Sequence, residues 1–127
     1  MVAVGDVARF PNPRYDAVPR RVEHWSIPGD TSRRAATTLV AGLTGGTLEE
    51  APFAPLPSFW SDQHDYRIQS FGAPNLGTAD VRLLGGELEG DLLAGYHRDD
   101  RLVGVVSVGG PGAMSLVLPY RARLLSP

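Results

Sequence analysis

The sequence of 127 residues contains no cysteine and no lysine. Without cysteine the chain cannot form a disulfide, a thiol nucleophile or a cysteine-ligated iron–sulfur cluster. Without lysine it cannot form a Schiff base with a carbonyl substrate, and its 12 basic residues are all arginine. The sequence also lacks a run of the about 18 apolar residues that span a membrane, and we see no signal peptide at its start. We therefore expect a cytoplasmic protein.

The net charge of the chain is small, −2 at pH 7. It gives no reason to expect nucleic acid or an anionic membrane as a partner. With 43% hydrophobic and 20% charged residues, the composition is typical of one globular domain that can bury a core of its own. The abundance of alanine, glycine, arginine and proline is typical of a GC-rich coding sequence, which favours an actinomycete as the source.

Prolines and glycines divide the chain into an arm and a domain. After the Pro-Gly turn at 28–29, Asp30, Thr31 or Ser32 can cap a helix that ends at about Gly42. Three prolines further along predict an extended linker. We therefore predict an arm over residues 1–50 and a compact domain over residues 51–127.

The predicted fold class is α+β, with a four- to five-stranded, mostly antiparallel sheet and one or two helices, preceded by a loop-and-helix arm. Valine-rich residues 102–106 predict a central strand. Asp99-Asp100, just before them, predicts a two-residue hairpin loop. Pro111 can open the last helix, and Pro119 should break or kink it.

Three motifs occur in a characteristic order. They are Gly-Asp at 5–6, Glu-His-Trp at 23–25 and Phe-Trp-Ser-Asp-Gln at 59–63. In order and spacing they resemble the end of the flavin-dependent ferredoxin, rubredoxin and putidaredoxin reductases. The resemblance fades after about Val108. It implies that the chain matches the end of the FAD domain and the C-terminal domain of such a reductase.

The resemblance implies a role for each motif. Asp6 matches the aspartate that hydrogen-bonds the ribityl chain of FAD. Glu23-His24-Trp25 matches a segment beside the isoalloxazine ring, near the docking face of the iron–sulfur partner. The helix that follows would point its amino end at the flavin, where its N–H groups stabilise negative charge. Residues 59–63 match the start of the C-terminal α+β domain.

The nucleotide-binding loops of that family are absent from this sequence. Such a reductase has two Rossmann units, each with a G-x-G-x-x-G loop, and the sequence contains neither. The chain is therefore not a complete NAD(P)H-dependent reductase. We expect no cofactor in the chain alone, and FAD only with a partner chain. Pro28-Gly29 should also delay the helix start and leave the Asp30 carboxylate where it would repel a reduced flavin.

The two tryptophans have two interpretations. Trp25 and Trp60 either pack in a core or form a lid, or they form two walls of a pocket for a flat ligand where the flavin would lie. In the second case Arg21, Gln63 and Tyr66 complete the ligand-binding set.

Asp62, His64, Glu23 and His24 are the candidate catalytic acids and bases. Histidine titrates near neutral pH, and a carboxylate beside it can orient the ring. The alternative for Asp62 is structural hydrogen bonding, and the alternative for Glu23 is a salt bridge to a nearby arginine. The arginine-rich stretch at 14–34 is either a solvated face or a site for an acidic ligand. No spacing indicates a metal site.

Three functions stay open at this point. The first is a cofactor-independent small-molecule enzyme that cyclises, isomerises or dehydrates a hydrophobic substrate, for example in natural-product biosynthesis. The second is an accessory or split subunit of a flavin-dependent ferredoxin reductase, with a ferredoxin or flavoprotein partner. The third is a ligand-binding module without catalysis. Because the sheet face that the flavin domain covers in the family would be exposed here, we also expect a homodimer.

Overall fold

The computed structural model describes residues 1–126, which divide into two compact units. The first unit covers Met1–Pro57, and the second begins at Ser58. The prolines of the predicted linker therefore belong to the first unit. Within the described residues, neither helix combines the length and the apolar character that crossing a membrane requires.

The first unit holds a small hairpin and one helix. A 3-10 turn at Gly5–Val7 leads into strands β1 (Arg9–Asn12) and β2 (Asp16–Arg21), which pair antiparallel. Helix α1 (Ser26–Thr44) follows, and an extended segment completes the unit. The buried residues of α1 recur every four positions and so share one face of the helix: Ile27, Thr31 and Ala35.

Helix α1 begins earlier than the sequence indicates. Its first residue is Ser26, so the predicted start, capped by Asp30, Thr31 or Ser32, is wrong. Pro28 and Gly29 lie inside the first turn, where backbone N–H groups have no acceptor within the helix. A proline is tolerated there because its missing N–H leaves no helical hydrogen bond unmade. Gly45, whose φ of +69° lies in the left-handed region, ends the helix.

The second unit is a five-stranded sheet with a helix on one face. The strands are β3 (Ser58–Gln63), β4 (Tyr66–Gly72), β5 (Asp80–Gly86), β6 (Leu92–Arg98) and β7 (Arg101–Gly109), followed by helix α2 (Pro111–Leu125). Their order is β3-β4-β7-β6-β5, and every neighbouring pair is antiparallel. The predicted α+β class is confirmed, and β7 is the central strand, as predicted.

The core of the second unit lies between the sheet and helix α2. The helix packs mainly on β7 and β4. Val105 on β7 and Val117 on α2 are both 0% exposed, and Leu93 on β6 is 1% exposed. These side chains belong to different elements, so their burial joins three parts of the unit into one core.

Helix α2 continues through Pro119, so of the predicted break or kink at this residue the break is wrong. Proline lacks the N–H that would bond the carbonyl four residues earlier, which here belongs to Ser115. Both residues are exposed, so water can hydrogen-bond the carbonyl that the helix leaves without a donor.

Strands β6 and β7 are joined by the predicted two-residue loop. Arg98 and Arg101 form the last pair of the ladder, and Asp99 and Asp100 between them have positive φ values of 54° and 57°. Positive φ at both central residues is the conformation of a type I′ turn, whose twist matches that of the flanking strands. The predicted hairpin is therefore confirmed.

Candidate functional site

The first unit holds one of two candidate sites, which we call the N-terminal cluster: Gly5, Asp6, Trp25 and Thr31. The backbone N–H of Gly5 donates a buried hydrogen bond of 2.9 Å to Oγ1 of Thr31. The same hydroxyl donates to the carbonyl of Ile27 at 2.6 Å. The glycine has a φ of +72°, which only glycine adopts without strain. The turn that carries Asp6 is therefore fixed against the first turns of α1.

The N-terminal cluster presents polar and aromatic groups to solvent. Asp6 is exposed, and Trp25, the residue just before α1, is 79% exposed. Trp25 forms no side-chain capping hydrogen bond at the amino end of α1, and the positive end of the helix dipole at this end attracts an anionic group. His24 is half-buried, and this burial lowers the pKa of its imidazole.

The predicted salt bridge of Glu23 is confirmed. Its carboxylate lies 2.7 Å from the guanidinium of Arg21, and both side chains are more than half exposed. Three other arginines of the stretch are paired with carboxylates in the same way: Arg20 with Asp16, Arg33 with Asp30, and Arg34 with Glu49. These local pairs favour a solvated face over a site for an acidic ligand.

The pairing of Asp30 also changes the expectation for this helix. Asp30 lies in the second turn of α1, beyond the amino end, and its carboxylate pairs with Arg33 one turn later. A paired carboxylate at that position does not oppose negative charge at the start of the helix as the sequence suggested.

The second candidate site is a pocket of about 350 Å³ in the second unit. We call it the hairpin pocket, because it lies at the β3–β4 turn and the amino end of α2. Asp62, His64 and Tyr66, three of the predicted site residues, line it. His64 has a φ of +54°, which is uncommon outside glycine, and the turn holds it in that conformation.

Arg67 on β4 lines this pocket, and Trp60 lies on the neighbouring edge strand β3. Arg67 is directly opposite Asp62 in the β3–β4 ladder, and its Nη1 lies 3.6 Å from the carboxylate. Its guanidinium carbon is 5.7 Å from the centre of the Trp60 ring, in a cation–π contact. Trp60 remains 45% exposed beside the arginine.

The pocket contains two buried polar residues that sequence reasoning missed. Ser107 is 1% exposed and Gln69 is 7% exposed, and the two are directly opposite in the β4–β7 ladder. The amide of Gln69 donates to the carbonyl of Phe59. By contrast, Oγ of Ser107 and Nε of Arg67 are buried without a hydrogen-bond partner among the described residues. A serine at an inward position of an otherwise apolar strand is the signal that could have revealed this site.

Gln63 lies elsewhere than the other predicted residues of the second unit. It follows Asp62 on β3, so its side chain points to the opposite face. It is exposed and donates to Oγ of Ser61 at 2.7 Å.

The pocket predicted between Trp25 and Trp60 would join the two units, and it stays a prediction. No group of three or more histidine, aspartate or glutamate side chains within residues 1–126 is placed to hold a metal ion.

Comparison with known protein families identifies the second unit. Residues 58–119 match the family described as "Reductase C-terminal". These residues form a reductase C-terminal domain. They begin where the second unit begins, and they include the sheet, the hairpin pocket and most of α2. A search of curated proteins gave no match to the sequence.

Similar solved structures extend this relationship to nearly the whole chain. A ferredoxin reductase for the CYP199A2 system from Rhodopseudomonas palustris is 30% identical over 89% of the chain, with a TM-score of 0.68. Fdr9 is 31% identical over 98% of the chain, with a TM-score of 0.61. In a covalent putidaredoxin reductase–putidaredoxin complex the match is 24% identical over 96% of the chain, with a TM-score of 0.66, which shows the fold. The chain spans only 26–31% of the length of these matched proteins.

The N-terminal cluster fits one end of a flavin nucleotide. Asp6 carries an exposed carboxylate in the turn that Gly5 ties to the first turns of α1. A carboxylate suits the polyhydroxyl chain of a flavin, and the positive end of a helix suits a ring that gains negative charge. The chain has no glycine-rich loop for the pyrophosphate. The residues present therefore suit the flavin end of FAD, and the adenylate end needs protein from outside this chain.

Proposed function

We propose that this chain supplies the flavin-facing edge and the C-terminal domain of a ferredoxin-reductase-type flavoprotein. Another polypeptide segment provides the parts that bind the nucleotides. The observation that carries the proposal is the hydrogen bond from Gly5 to Thr31. It joins the Gly5-Asp6 motif to the helix that follows Glu23-His24-Trp25, so the parts of the chain that resemble the flavin-facing segments of the family lie together.

Each residue of the cluster has a defined task in this proposal. The Asp6 carboxylate accepts hydrogen bonds from the ribityl hydroxyls, which orients the flavin. The amino end of α1 stabilises negative charge on the ring edge. Trp25 covers the ring from solvent and offers an aromatic surface to an electron-transfer partner. Bound FAD supplies the exchange of electrons between a nicotinamide and an iron–sulfur protein. The 30% identity to a ferredoxin reductase supports a ferredoxin as that protein.

Flavin retention tests the proposal. The purified chain is mixed with FAD and with a ferredoxin reductase shortened by the segment that this chain matches, and flavin absorbance is measured after gel filtration. We expect the mixture of both proteins to retain flavin and each protein alone to retain little. Asp6→Ala should weaken retention about tenfold or more, because a hydrogen bond to a charged group is lost. Glu89→Ala, which removes an exposed carboxylate from the second unit, is the matched control. Failure of the mixture to retain flavin contradicts the proposal.

A second candidate function is a small-molecule enzyme without a cofactor. The observation that favours it is that Asp62 and His64 line one pocket together with Tyr66. In that case His64 acts as the general base, and Asp62 orients the imidazole ring or acts as the general acid. Cyclisation, isomerisation and dehydration each require proton transfer of this kind. The chemistry is tested by exchange of the methyl protons of acetophenone for deuterium, followed by ¹H NMR. We expect exchange with the chain and loss of exchange with His64→Asn. Absence of exchange with the chain itself rejects this candidate and leaves a non-catalytic ligand site.

A further inference from the structure

We propose that the hairpin pocket binds a small neutral carbonyl compound, whose oxygen accepts hydrogen bonds from Oγ of Ser107 and Nε of Arg67. The inference deepens the second candidate function by naming the class of ligand. It does not depend on catalysis, because neither Ser107 nor Arg67 is asked to transfer a proton. It is also independent of FAD, since the pocket is lined entirely by residues of the second unit.

The sheet register places the two donors on the same wall of the pocket. Gln69 pairs with Ser107, and Arg67 pairs with Gly109. Arg67 and Ser107 are thus diagonal neighbours on adjacent strands and share the face that α2 covers. Diagonal side chains on one face are close enough for a long side chain to reach its neighbour. One oxygen atom between them can therefore accept from both.

The burial of these donors indicates a missing acceptor. Ser107 is 1% exposed, and its Oγ forms no hydrogen bond within residues 1–126. Nε of Arg67 is likewise buried without a partner there. Buried polar groups in folded proteins are nearly always hydrogen-bonded. Two such groups beside an accessible pocket point to a ligand, or to an ordered water, that supplies the acceptor.

The charges around the pocket favour a neutral acceptor over an anion. Asp62 and Asp65 line the pocket with Arg67 as the single arginine, and Arg67 already faces Asp62 at 3.6 Å. The carboxylates outnumber the guanidinium, so they repel an anion. A cationic amine has no lone pair to offer the two donors. A carbonyl oxygen has two lone pairs and no charge, and it meets both requirements.

The remaining wall of the pocket is apolar. Pro111, Ala113 and Met114 line it from the start of α2. The pocket volume of about 350 Å³ is at the small end of the range for ligand sites. The ligand should therefore be one or two rings in size, with an apolar body against the helix and its carbonyl group towards the sheet.

Three matched probes test the ligand class. The ¹⁵N-labelled full chain is titrated with acetophenone, ethylbenzene or benzoate, which share a ring and differ in the polar group. Amide shifts of Ser107, Gly109 and Ala113 report binding. We expect acetophenone to bind and both other probes to bind at least about fivefold more weakly. A difference of this size corresponds to the loss of one or two hydrogen bonds. Equal shifts with ethylbenzene, or tighter binding of benzoate, overturn the proposal. No shift with any probe means that the pocket holds an ordered water only, which also overturns it.

Two serine variants locate the contact. Ser107→Ala should weaken acetophenone binding about fivefold. Ser70→Ala is the matched control, because Ser70 is 0% exposed, its Oγ also has no partner among the described residues, and it points to the opposite face of β4. Binding that is unchanged in Ser107→Ala contradicts the proposal. If acetophenone binds but its methyl protons do not exchange for deuterium, the enzyme hypothesis is rejected and the carbonyl-binding site is retained. A failure of the enzyme hypothesis can therefore be distinguished from a failure of the binding proposal.

Discussion

The carboxylate of Asp91 accepts a hydrogen bond of 2.7 Å from the backbone N–H of Gly110, at the amino end of α2. Asp91 stands just before β6, so this contact joins a loop on one side of the sheet to the helix that covers it. The first residues of α2 lie so close to the carboxylate that they leave no room for a side chain at Gly112. A Cβ at Gly112 would lie 2.1 Å from Oδ2 of Asp91, closer than any real contact.

Asp91→Ala should destabilise the chain by about 1–2 kcal/mol, because the helix loses both a capping acceptor and a favourable charge at its positive end. Asp91→Asn keeps an acceptor and should cost less than half as much. The free energy of unfolding in urea measures both. Glu89→Ala removes an exposed carboxylate from the same loop and should change stability by less than about 0.5 kcal/mol. If Asp91→Ala and Glu89→Ala lower the free energy of unfolding equally, the stability depends only on the overall charge and not on the contact with Gly110.

Thr31→Val should loosen the N-terminal cluster. Valine keeps the volume of threonine but offers no oxygen, so the buried N–H of Gly5 loses its acceptor. We expect a loss of about 1–3 kcal/mol and faster hydrogen exchange at the Gly5 amide. Thr37→Val is the control on the same helix, since its exposed hydroxyl bonds only to the carbonyl of Arg34. Unchanged exchange at Gly5 in Thr31→Val would mean that this bond does not hold the turn.

The sequence predicted the elements of the second unit well because their signals are local. A valine-rich run identified β7, and two adjacent aspartates identified the turn before it. The errors came from proline. Pro28 and Pro119 were read as helix boundaries, yet one lies in a first turn that needs no N–H and the other lies where water reaches the carbonyl.

The candidate sites were predicted only in part, for a related reason. Asp62, His64 and Tyr66 are neighbours in sequence, so their grouping around one turn could be anticipated. Ser107 reaches the same pocket through pairing with Gln69. That register depends on how two distant strands align, and a one-residue shift would send Ser107 to the other face. The pattern of a single strand does not contain this information.

The half-buried imidazole of His24 predicts a loss of stability in mild acid. Burial lowers the pKa of His24, so near the ordinary histidine pKa the unfolded chain binds a proton that the folded chain does not. Stability then rises with pH through this window and falls as the pH drops from about 7 towards the lowered pKa. Urea unfolding of the wild type and of His24→Asn at a series of pH values measures the effect. The difference between the two curves should change below about pH 7, and parallel curves would contradict the assignment.

The hairpin loop offers a way to raise stability. Asp99 and Asp100 both hold positive φ, which costs a side-chain-bearing residue free energy that Asn-Gly avoids. Asp99→Asn with Asp100→Gly should therefore stabilise the chain, by about 0.5–1 kcal/mol. The replacement also removes an exposed ion pair in which Asp100 accepts from Arg82 at 2.8 Å, and such a pair contributes at most about 1 kcal/mol.

These two effects of the Asn-Gly replacement oppose each other, and salt separates them. At about 1 M NaCl the pair with Arg82 is screened, so the full gain should appear in urea unfolding, whereas at low salt the gain should shrink. Asp99→Ala with Asp100→Ala is the matched control. It removes the same charges but keeps a Cβ at both positions, and it should be less stable than the Asn-Gly chain at every salt concentration. If the two double variants are equally stable, the positive φ values carry no cost and the turn is held by its flanking strands alone.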